Sequence, residues 1–205
     1  AKGLPHGKGK LAFANGTAYD GQFVAGAIRG QGAFTHKDGS IATGQFANGI
    51  QQGTGTLAYP SGAVYSGTFL DGTPHGQGED TFPDGSHYAG NFASGSIKGQ
   101  GVYTYPDGTE YEGTWTNGAL TEATSFDAAK IKQGEVINGD GTLRFYHPNG
   151  QLRLEETYTG GKLSNSQFWD EEGNPIEAVE PLYIGFNYLD KWGGGSRVAA
   201  RRVTS

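Results

Sequence analysis

Apolar and polar residues alternate over short stretches of this chain, and the alternation returns at a fixed interval. In one such stretch Tyr65, Gly67 and Phe69 alternate with polar residues. Both rings and the glycine therefore lie on one face of a predicted β-strand. An Asp-Gly turn signal ends the strand, and a second run of similar length leads to the next turn. Each interval thus predicts one β-hairpin, with strands of about five residues.

The interval is 23 residues, and the copies are YDGQFVAG at 19–26, ATGQFANG at 42–49, YSGTFLDG at 65–72, YAGNFASG at 88–95 and YEGTWTNG at 111–118. Residues 1–18 match the second half of the period. Ala42 replaces the tyrosine of its copy and predicts weaker packing there. One hairpin alone is marginal in water, so neighbouring copies must stack. We therefore predict an all-β fold: an elongated, twisted, single-layer antiparallel sheet of about twelve strands in tandem β-hairpins.

Glycines recur at the third, twelfth and fourteenth steps of the period, close to the aromatic steps. Glycine inside a strand is unfavourable unless another group approaches the backbone closely. We expect the aromatic rings of one strand to lie over bare glycine backbone on the next. A β-branched residue at Gly78 or Gly101 should then collide with a ring.

These residues resemble the MORN (membrane occupation and recognition nexus) repeat, whose pattern is YxGxFxxGxxxGxGxxxxxDG. Segments 65–85 and 88–108 match it nearly residue for residue, and the resemblance covers 1–126. The resemblance implies a sheet of hairpins with a non-catalytic role in binding or scaffolding. The family name points to membranes, whereas its better-understood members bind protein segments along a groove.

The period changes after residue 126. Residues 127–140 break the phase and predict a connector or an irregular hairpin. The 23-residue period then returns at 141–180, where Phe145 and Phe168 are again 23 residues apart. This part resembles the variant MORN repeat of many bacterial proteins and is interpreted as a continuation of the sheet. The apolar stretch 181–192 predicts a closing strand, because repeat arrays need atypical ends.

The end of the chain has a different character. Residues 193–196 read GGGS, a flexible linker of the kind used to join proteins. Residues 197–205 (RVAARRVTS) carry Arg197, Arg201 and Arg202 and no acid. One hypothesis is that this segment is a partner peptide fused to the array. The alternative is a native basic tail or a cloning remnant.

The net charge of the chain and its distribution favour some classes of partner over others. The 205 residues carry a net charge of −6. Segment 65–112 holds seven acidic residues against Lys98 alone. An acidic surface disfavours nucleic acid and anionic lipid and favours a cationic partner. The chain has no cysteine, which excludes disulfides and thiol chemistry but leaves the compartment open between bacterial envelope and cytoplasm.

No stretch carries the signature of an active site. The Gly-x-Gly pairs recur with the period and lead into strands, whereas a phosphate loop leads into a helix. His6 and His75 are three periods apart, roughly 30 Å at the usual strand spacing, which is too far to share a metal. No G-x-S-x-G sequence occurs. We predict no catalytic residue, no metal and no cofactor.

The prediction is therefore a protein-interaction module that binds a basic peptide of a partner in an aromatic and acidic groove. Phe69 and Phe92 would line or support this groove, and we expect the tyrosine hydroxyls to stay in contact with water. The acids would pair with arginines of the ligand. The predicted peptide-binding residues are Tyr65, Tyr88, Tyr111, Trp115, Asp84, Asp107, Glu110 and Glu112.

Three other functions fit the same pattern. One is a peripheral membrane or phospholipid-binding module, which the acidic charge disfavours. Another is a bacterial envelope-assembly or toxin-neutralising protein, which the variant repeats resemble. A third is an accessory domain of an enzyme. Exposed sheet ends also predict a homodimer through edge pairing or end stacking.

Overall fold

The computed structural model describes residues 3–127 and 129–176, and these residues form strands and turns without a helix. Sixteen strands follow one another in chain order in one sheet. The predicted all-β hairpin fold is confirmed. The expected strand number and length were wrong. Each full period contains strands of seven and nine residues, such as Val64–Leu70 and Thr73–Thr81, because the Gly-x-Gly run and the turn-flanking residues continue the ladder.

The first eight strands are β1 Gly7–Ala12, β2 Ala18–Val24, β3 Ala27–Thr35, β4 Ile41–Ala47, β5 Ile50–Ala58, β6 Val64–Leu70, β7 Thr73–Thr81 and β8 His87–Ala93. The remaining strands are β9 Ser96–Thr104, β10 Glu110–Thr116, β11 Ala119–Phe126, β12 Lys132–Ile137, β13 Asp140–Tyr146, β14 Leu152–Thr159, β15 Lys162–Trp169 and β16 Pro175–Ile176. The predicted closing strand 181–192, linker 193–196 and basic tail 197–205 lie outside the described residues.

The chain forms two compact units. Unit 1 comprises Ala1–Pro83 and Asn91–Gly95, and unit 2 comprises Asp84–Gly90 and Ser96–Ser205. Within unit 2, the segment predicted as a connector or irregular hairpin supplies a loop and β12, which pairs with β11 and β13.

Two-residue turns join the strands of each hairpin at one end. Asp71 and Gly72 have φ angles of 51° and 77°, the left-handed pair that a type I′ turn requires. The Gly72 N–H donates to the carbonyl of Gln51, 3.0 Å away, in the preceding copy. The Asp-Gly and Asn-Gly sequences therefore set the hairpin turn and also link one copy to the next.

Five-residue loops join the hairpins at the opposite end of the strands. In the loop 105–109, the Tyr105 N–H donates to the Thr109 carbonyl at 2.8 Å. Asp107 Oδ1 accepts from the N–H and the hydroxyl of Thr109 at 3.0 and 2.7 Å. This arrangement accounts for the Pro-Asp-Gly-Ser/Thr sequence, because the aspartate satisfies the donors inside the turn.

The buried face carries the tyrosines over the glycines, as predicted. A Cβ at Gly78 would overlap the Tyr65 ring, and so would a Cβ at Gly67. Each ring therefore covers the glycine of its own strand as well as the glycine paired with it on the next strand. The same holds for Tyr88 over Gly90 and Gly101.

Edge-to-face contacts between rings join consecutive copies. Tyr65 lies 5.1 Å from the ring of Phe69 in its own copy and 4.9 Å from Phe92 in the next. Tyr88 and Trp115 are related in the same way, with centroids 5.1 Å apart. Such pairs contribute about 0.5–1.5 kcal/mol beyond the area that they bury. The period of the sequence is thus the period of this ring contact.

In the copy that lacks its tyrosine, a different side chain fills the space above the glycine pair. Ala42 leaves the glycine pair Gly44 and Gly55 without a ring above it, and the Gln51 side chain occupies the space. Gln51 is only 4% exposed, and its amide donates to the carbonyls of Thr43 and Thr56 at 3.0 and 3.3 Å. A buried polar group with both donors satisfied is tolerated, so the copy stays packed.

Candidate peptide-binding surface

The four predicted aromatic binding residues are buried in the sheet. Tyr65 and Tyr88 are fully buried, and Tyr111 and Trp115 are 1% and 4% exposed. The Tyr65 hydroxyl donates to the Thr68 carbonyl at 2.9 Å. The expectation that the tyrosine hydroxyls contact water is therefore wrong, because the ring lies flat over glycine backbone and its tip ends inside the sheet. Burial and the Asp80 charge raise the pKa of Tyr65 to about 12.

Rings from distant strands meet on the buried face of unit 2. Phe145 of β13 lies 4.6 Å from the ring of Tyr105 and 6.3 Å from that of Tyr111. Tyr103 stacks on Tyr111 at 5.4 Å. The space in front of Tyr111 is thus occupied by a side chain of the variant repeat, so this ring supports the packing of the unit.

A buried carboxylate lies on the same face. Glu156 is fully buried, and the Tyr158 hydroxyl donates to its Oε2 at 3.0 Å. Burial, with the neighbouring Glu156 charge, raises the pKa of Tyr158 well above its ordinary value. The hydroxyl remains a donor to Glu156 at neutral pH.

The predicted acids occupy two different places. Asp84 and Asp107 lie in five-residue loops, where Asp84 Oδ1 accepts from the N–H and hydroxyl of Ser86 at 2.9 and 2.6 Å. Glu110 and Glu112 lie on β10, where Glu110 forms an ion pair with Lys130 and Glu112 is exposed. The loop acids therefore hold turns, and the strand acids face solvent.

An internal arginine occupies the second of these loops. Arg153 Nε lies 2.8 Å from Asp107 Oδ2, although it is not aligned for a hydrogen bond with that oxygen. Its Nη2 donates to the Thr109 hydroxyl at 2.8 Å. The guanidinium carbon lies 5.5 Å from the Tyr105 ring centroid and 5.9 Å from that of Phe145. One arginine thus meets a carboxylate, a hydroxyl and two rings.

The solvent-facing side of β10 to β14 in unit 2 is rich in carboxylates, and we call it the acidic face. Glu112 is paired in register with Thr124, which in turn is paired with Glu135. Glu122 precedes Thr124 by two residues and lies on the same side of β11. The face comprises Glu110, Glu112, Glu122, Glu135 and Glu155, together with Arg144, which pairs with Glu155 at 2.8 Å.

Acidic charge is concentrated in unit 2. Its described residues include thirteen acidic and six basic side chains, against five and four in unit 1. Four of the six basic side chains already form ion pairs within unit 2. None of the ion pairs in the described part of the chain involves Glu112 or Glu122. Of the seven acidic residues of segment 65–112, four lie in unit 2, and Asp71, Glu79 and Asp80 lie in unit 1.

Three residues, Gln51 of unit 1 and Arg153 and Glu122 of unit 2, escaped the sequence analysis. The sequence marks Gln51 as unusual, because isoleucine, proline or leucine stands at that step of the period in the other copies. Arg153 follows Asp107 by two full periods, which hinted at neighbouring loops. Glu122 stands at a step of the period where the other copies have glycine, and its place beside Glu112 depends on the β10–β11 register.

Two further features of the described residues concern metal binding and membrane crossing. Residues 3–127 and 129–176 contain no group of three or more His, Cys, Asp or Glu side chains placed to hold a metal ion. The same part of the chain contains no helix with the length and hydropathy that a membrane crossing needs.

Six segments match the family model of the MORN repeat: residues 1–18, 19–41, 43–64, 65–87, 88–110 and 111–120. Together they make up more than half of the chain. These segments contain the rings, the glycine pairs and the turns described above. This chain belongs to the MORN repeat family.

Several solved structures are similar to this chain at low sequence identity and low TM-score. The TCP10c domain of Drosophila melanogaster Sas-4 has 18% identity and a TM-score of 0.39, covering 75% of this chain and 93% of that one. The TCP10 domain of Danio rerio CPAP, solved in complex with a peptide of Danio rerio STIL, has 18% identity and a TM-score of 0.26, covering 86% and 96%. Similarity at these TM-scores gives no evidence about function. No curated protein matches the sequence.

Proposed function

We propose that this chain is a non-catalytic protein-interaction module whose acidic face binds a basic segment of a partner protein. Membership of the MORN repeat family supports an interaction role. The observation that carries the proposal is the pair Glu112 and Glu122. Both are exposed on neighbouring strands of an acidic unit, and neither takes part in an ion pair with another described residue of that unit.

The pair suits arginine side chains spaced along an extended peptide. Diagonal neighbours on adjacent strands lie roughly 5–8 Å apart, within reach of successive side chains of one ligand strand. Arginine pairs with carboxylates through two parallel hydrogen bonds, which gives orientation as well as charge. The remaining predicted acids contribute less to the proposed binding. Glu110 already forms an ion pair with Lys130, and Asp84 and Asp107 accept hydrogen bonds within their own loops.

In this proposal Tyr65, Tyr88, Tyr111 and Trp115 act from behind the surface. Tyr111 and Trp115 pack beneath β10, which presents Glu110 and Glu112, and none of the four aromatic residues contacts the ligand. The proposed ligand is a segment like 197–205, through Arg197, Arg201 and Arg202. A short tether gives such a segment an effective concentration on the order of mM, so it can bind within one chain or between two.

The test is a calorimetric titration of the free peptide RVAARRVTS into the chain carrying Arg197→Ala, Arg201→Ala and Arg202→Ala, which removes competition by its own tail. We expect saturable binding that weakens as salt is raised. The double change Glu112→Gln and Glu122→Gln should weaken binding roughly tenfold, since each exposed pair contributes about 0.2–1 kcal/mol.

The matched control is Glu79→Gln, the same change at an exposed position of β7 in unit 1. It should leave the affinity unchanged. Absence of binding, or equal weakening by both sets of substitutions, would contradict the proposal.

A further inference from the structure

Unit 2 contains a pocket shaped around one guanidinium group, formed by Tyr105, Asp107, Thr109 and Phe145. Two of its walls are rings buried in the unit, 4% and 1% exposed. The carboxylate and the hydroxyl belong to the loop between β9 and β10. Its occupant is Arg153 of β14, whose side chain is 19% exposed. We call this set of four residues the arginine pocket.

The chemistry of the arginine pocket favours a guanidinium over an ammonium group. A guanidinium is flat, so it can lie against both rings while its edge donates to the carboxylate and the hydroxyl. An ammonium is a compact, strongly hydrated charge that cannot make all four contacts at once. The pocket therefore selects the shape of the cation as well as its charge.

Arg153 satisfies the pocket incompletely. Its buried Nε lies 2.8 Å from Asp107 Oδ2 but makes no hydrogen bond among the described residues. Asp107 remains 40% exposed at its side chain. The backbone of β14 fixes the direction from which Arg153 enters, whereas an arginine that arrives from solvent is free to align both of its edges.

We propose that the arginine pocket is an arginine-binding subsite, in which Arg153 is a built-in occupant that an arginine of a partner segment displaces. Glu110 directly follows the loop, but the acidic face lies on the opposite side of the sheet from the Phe145 ring, so the subsite and the acidic face are separate parts of unit 2. The partner's identity as a basic segment rests on the proposed function; the guanidinium selectivity of the pocket does not.

Emptying the pocket tests its selectivity directly. The full chain with Arg153→Ala should lose thermal stability, and methylguanidinium should restore part of it at concentrations where methylammonium does not. The expected preference is roughly tenfold in the concentration needed, the factor that one charge-assisted hydrogen bond provides. Equal effects of the two ions, or no effect of either, would overturn the proposal.

Two further variants locate the effect. Arg144→Ala removes the other paired arginine of the unit, which lies on the solvent-facing side against Glu155. Methylguanidinium should not stabilise it selectively. Adding Asp107→Asn to Arg153→Ala should abolish the rescue while keeping the loop, since Asn149 caps the equivalent loop through its Oδ1. Rescue of Arg144→Ala, or rescue that survives Asp107→Asn, would contradict the assignment.

If Arg153→Ala does not fold, Arg153→Lys answers the same question, because it keeps the stem and the charge. Lysine should still destabilise the chain, and its coupling to Asp107 in a double-mutant cycle should be weaker than that of arginine. A lysine variant as stable as the parent would overturn the proposal.

The peptide separates this inference from the proposed function. With Arg197→Ala, Arg201→Ala and Arg202→Ala in both chains, the chain with Arg153→Ala should bind RVAARRVTS roughly tenfold more tightly than the chain that keeps Arg153, because the competitor is gone. Guanidinium rescue without peptide binding would uphold the pocket and contradict the proposed function. Peptide binding that depends on Glu112 and Glu122, without guanidinium rescue, would uphold the proposed function and contradict the arginine pocket.

Discussion

At the scale of single residues, the fold depends on glycines that leave room for tyrosines. Gly67 and Gly78 lie beneath the Tyr65 ring, and a methyl group at either position would overlap it. Glycine costs roughly 0.5–1 kcal/mol in a strand relative to alanine. The burial of a whole tyrosine ring and its hydrogen-bonded hydroxyl outweighs this cost. The rings and the glycines must therefore change together or not at all.

Gly78→Ala should destabilise the chain by about 1–3 kcal/mol, the usual cost of overpacking a core. The matched control is Gly9→Ala, at the same step of the period, where the added Cβ would meet only Phe23 at an ordinary 3.4 Å. Chemical denaturation of both variants measures the difference. Equal losses would show that backbone propensity, and not the ring, decides the effect.

Tyr65 also makes stability depend on alkaline pH. Its folded pKa of about 12 lies above the ordinary value of 10, so folding favours the protonated hydroxyl. The contribution is fully present below pH 10 and is lost as the pH rises towards 12, with a slope of at most about 1.4 kcal/mol per pH unit.

Tyr65→Phe should therefore lose stability less steeply than the parent between pH 10 and 12, measured by urea unfolding at each pH. The two chains have all other tyrosines in common, so the difference between them isolates Tyr65. Parallel curves for the two chains would contradict the assignment.

At the scale of the element, one copy shows how a hairpin tolerates the loss of its ring. In copy 42–64 the amide of Gln51 replaces the tyrosine that Ala42 lacks. The other copies combine tyrosine with an apolar residue at the step of Gln51. Positions 42 and 51 thus share one space, and each residue suits only its present partner.

Ala42→Tyr alone should destabilise the chain by about 1–3 kcal/mol, because the ring and the Gln51 side chain compete for the same volume. Ala42→Tyr combined with Gln51→Ile should recover this loss. A double-mutant cycle in urea measures the coupling, which should reach roughly 1–3 kcal/mol. Additive effects would indicate that the two side chains do not share the space.

The hairpins could be predicted from the sequence because their signals are local. Period-two alternation, Asp-Gly turns and the 23-residue repeat all act within a few residues of one another. The fate of the tyrosine hydroxyls and the position of Arg153 could not be predicted in this way. Tyr65 ends inside the sheet because of glycines on two strands, and Arg153 reaches a loop 46 residues earlier in the chain. These contacts depend on packing that no single period contains.

At the scale of the whole molecule, packing and the proposed binding depend on different residues. The rings and glycines that repeat most strictly are buried and specify the sheet. The residues that vary between copies, such as Glu112 and Glu122, supply the charge of unit 2. A repeat protein can therefore change its ligand without changing its fold, because the two sets of positions are separate.

Photo-crosslinking tests the central claim most directly. A peptide RVAARRVTS that carries a photoreactive group in place of its first valine would be irradiated with the chain, and the linked residues would be mapped by mass spectrometry. We predict cross-links on β10, β11 and β12 of unit 2, and their yield should fall strongly in the chain with Glu112→Gln and Glu122→Gln. Cross-links confined to unit 1, or to the terminal strands β1 and β16, would contradict an acidic face that binds a basic segment.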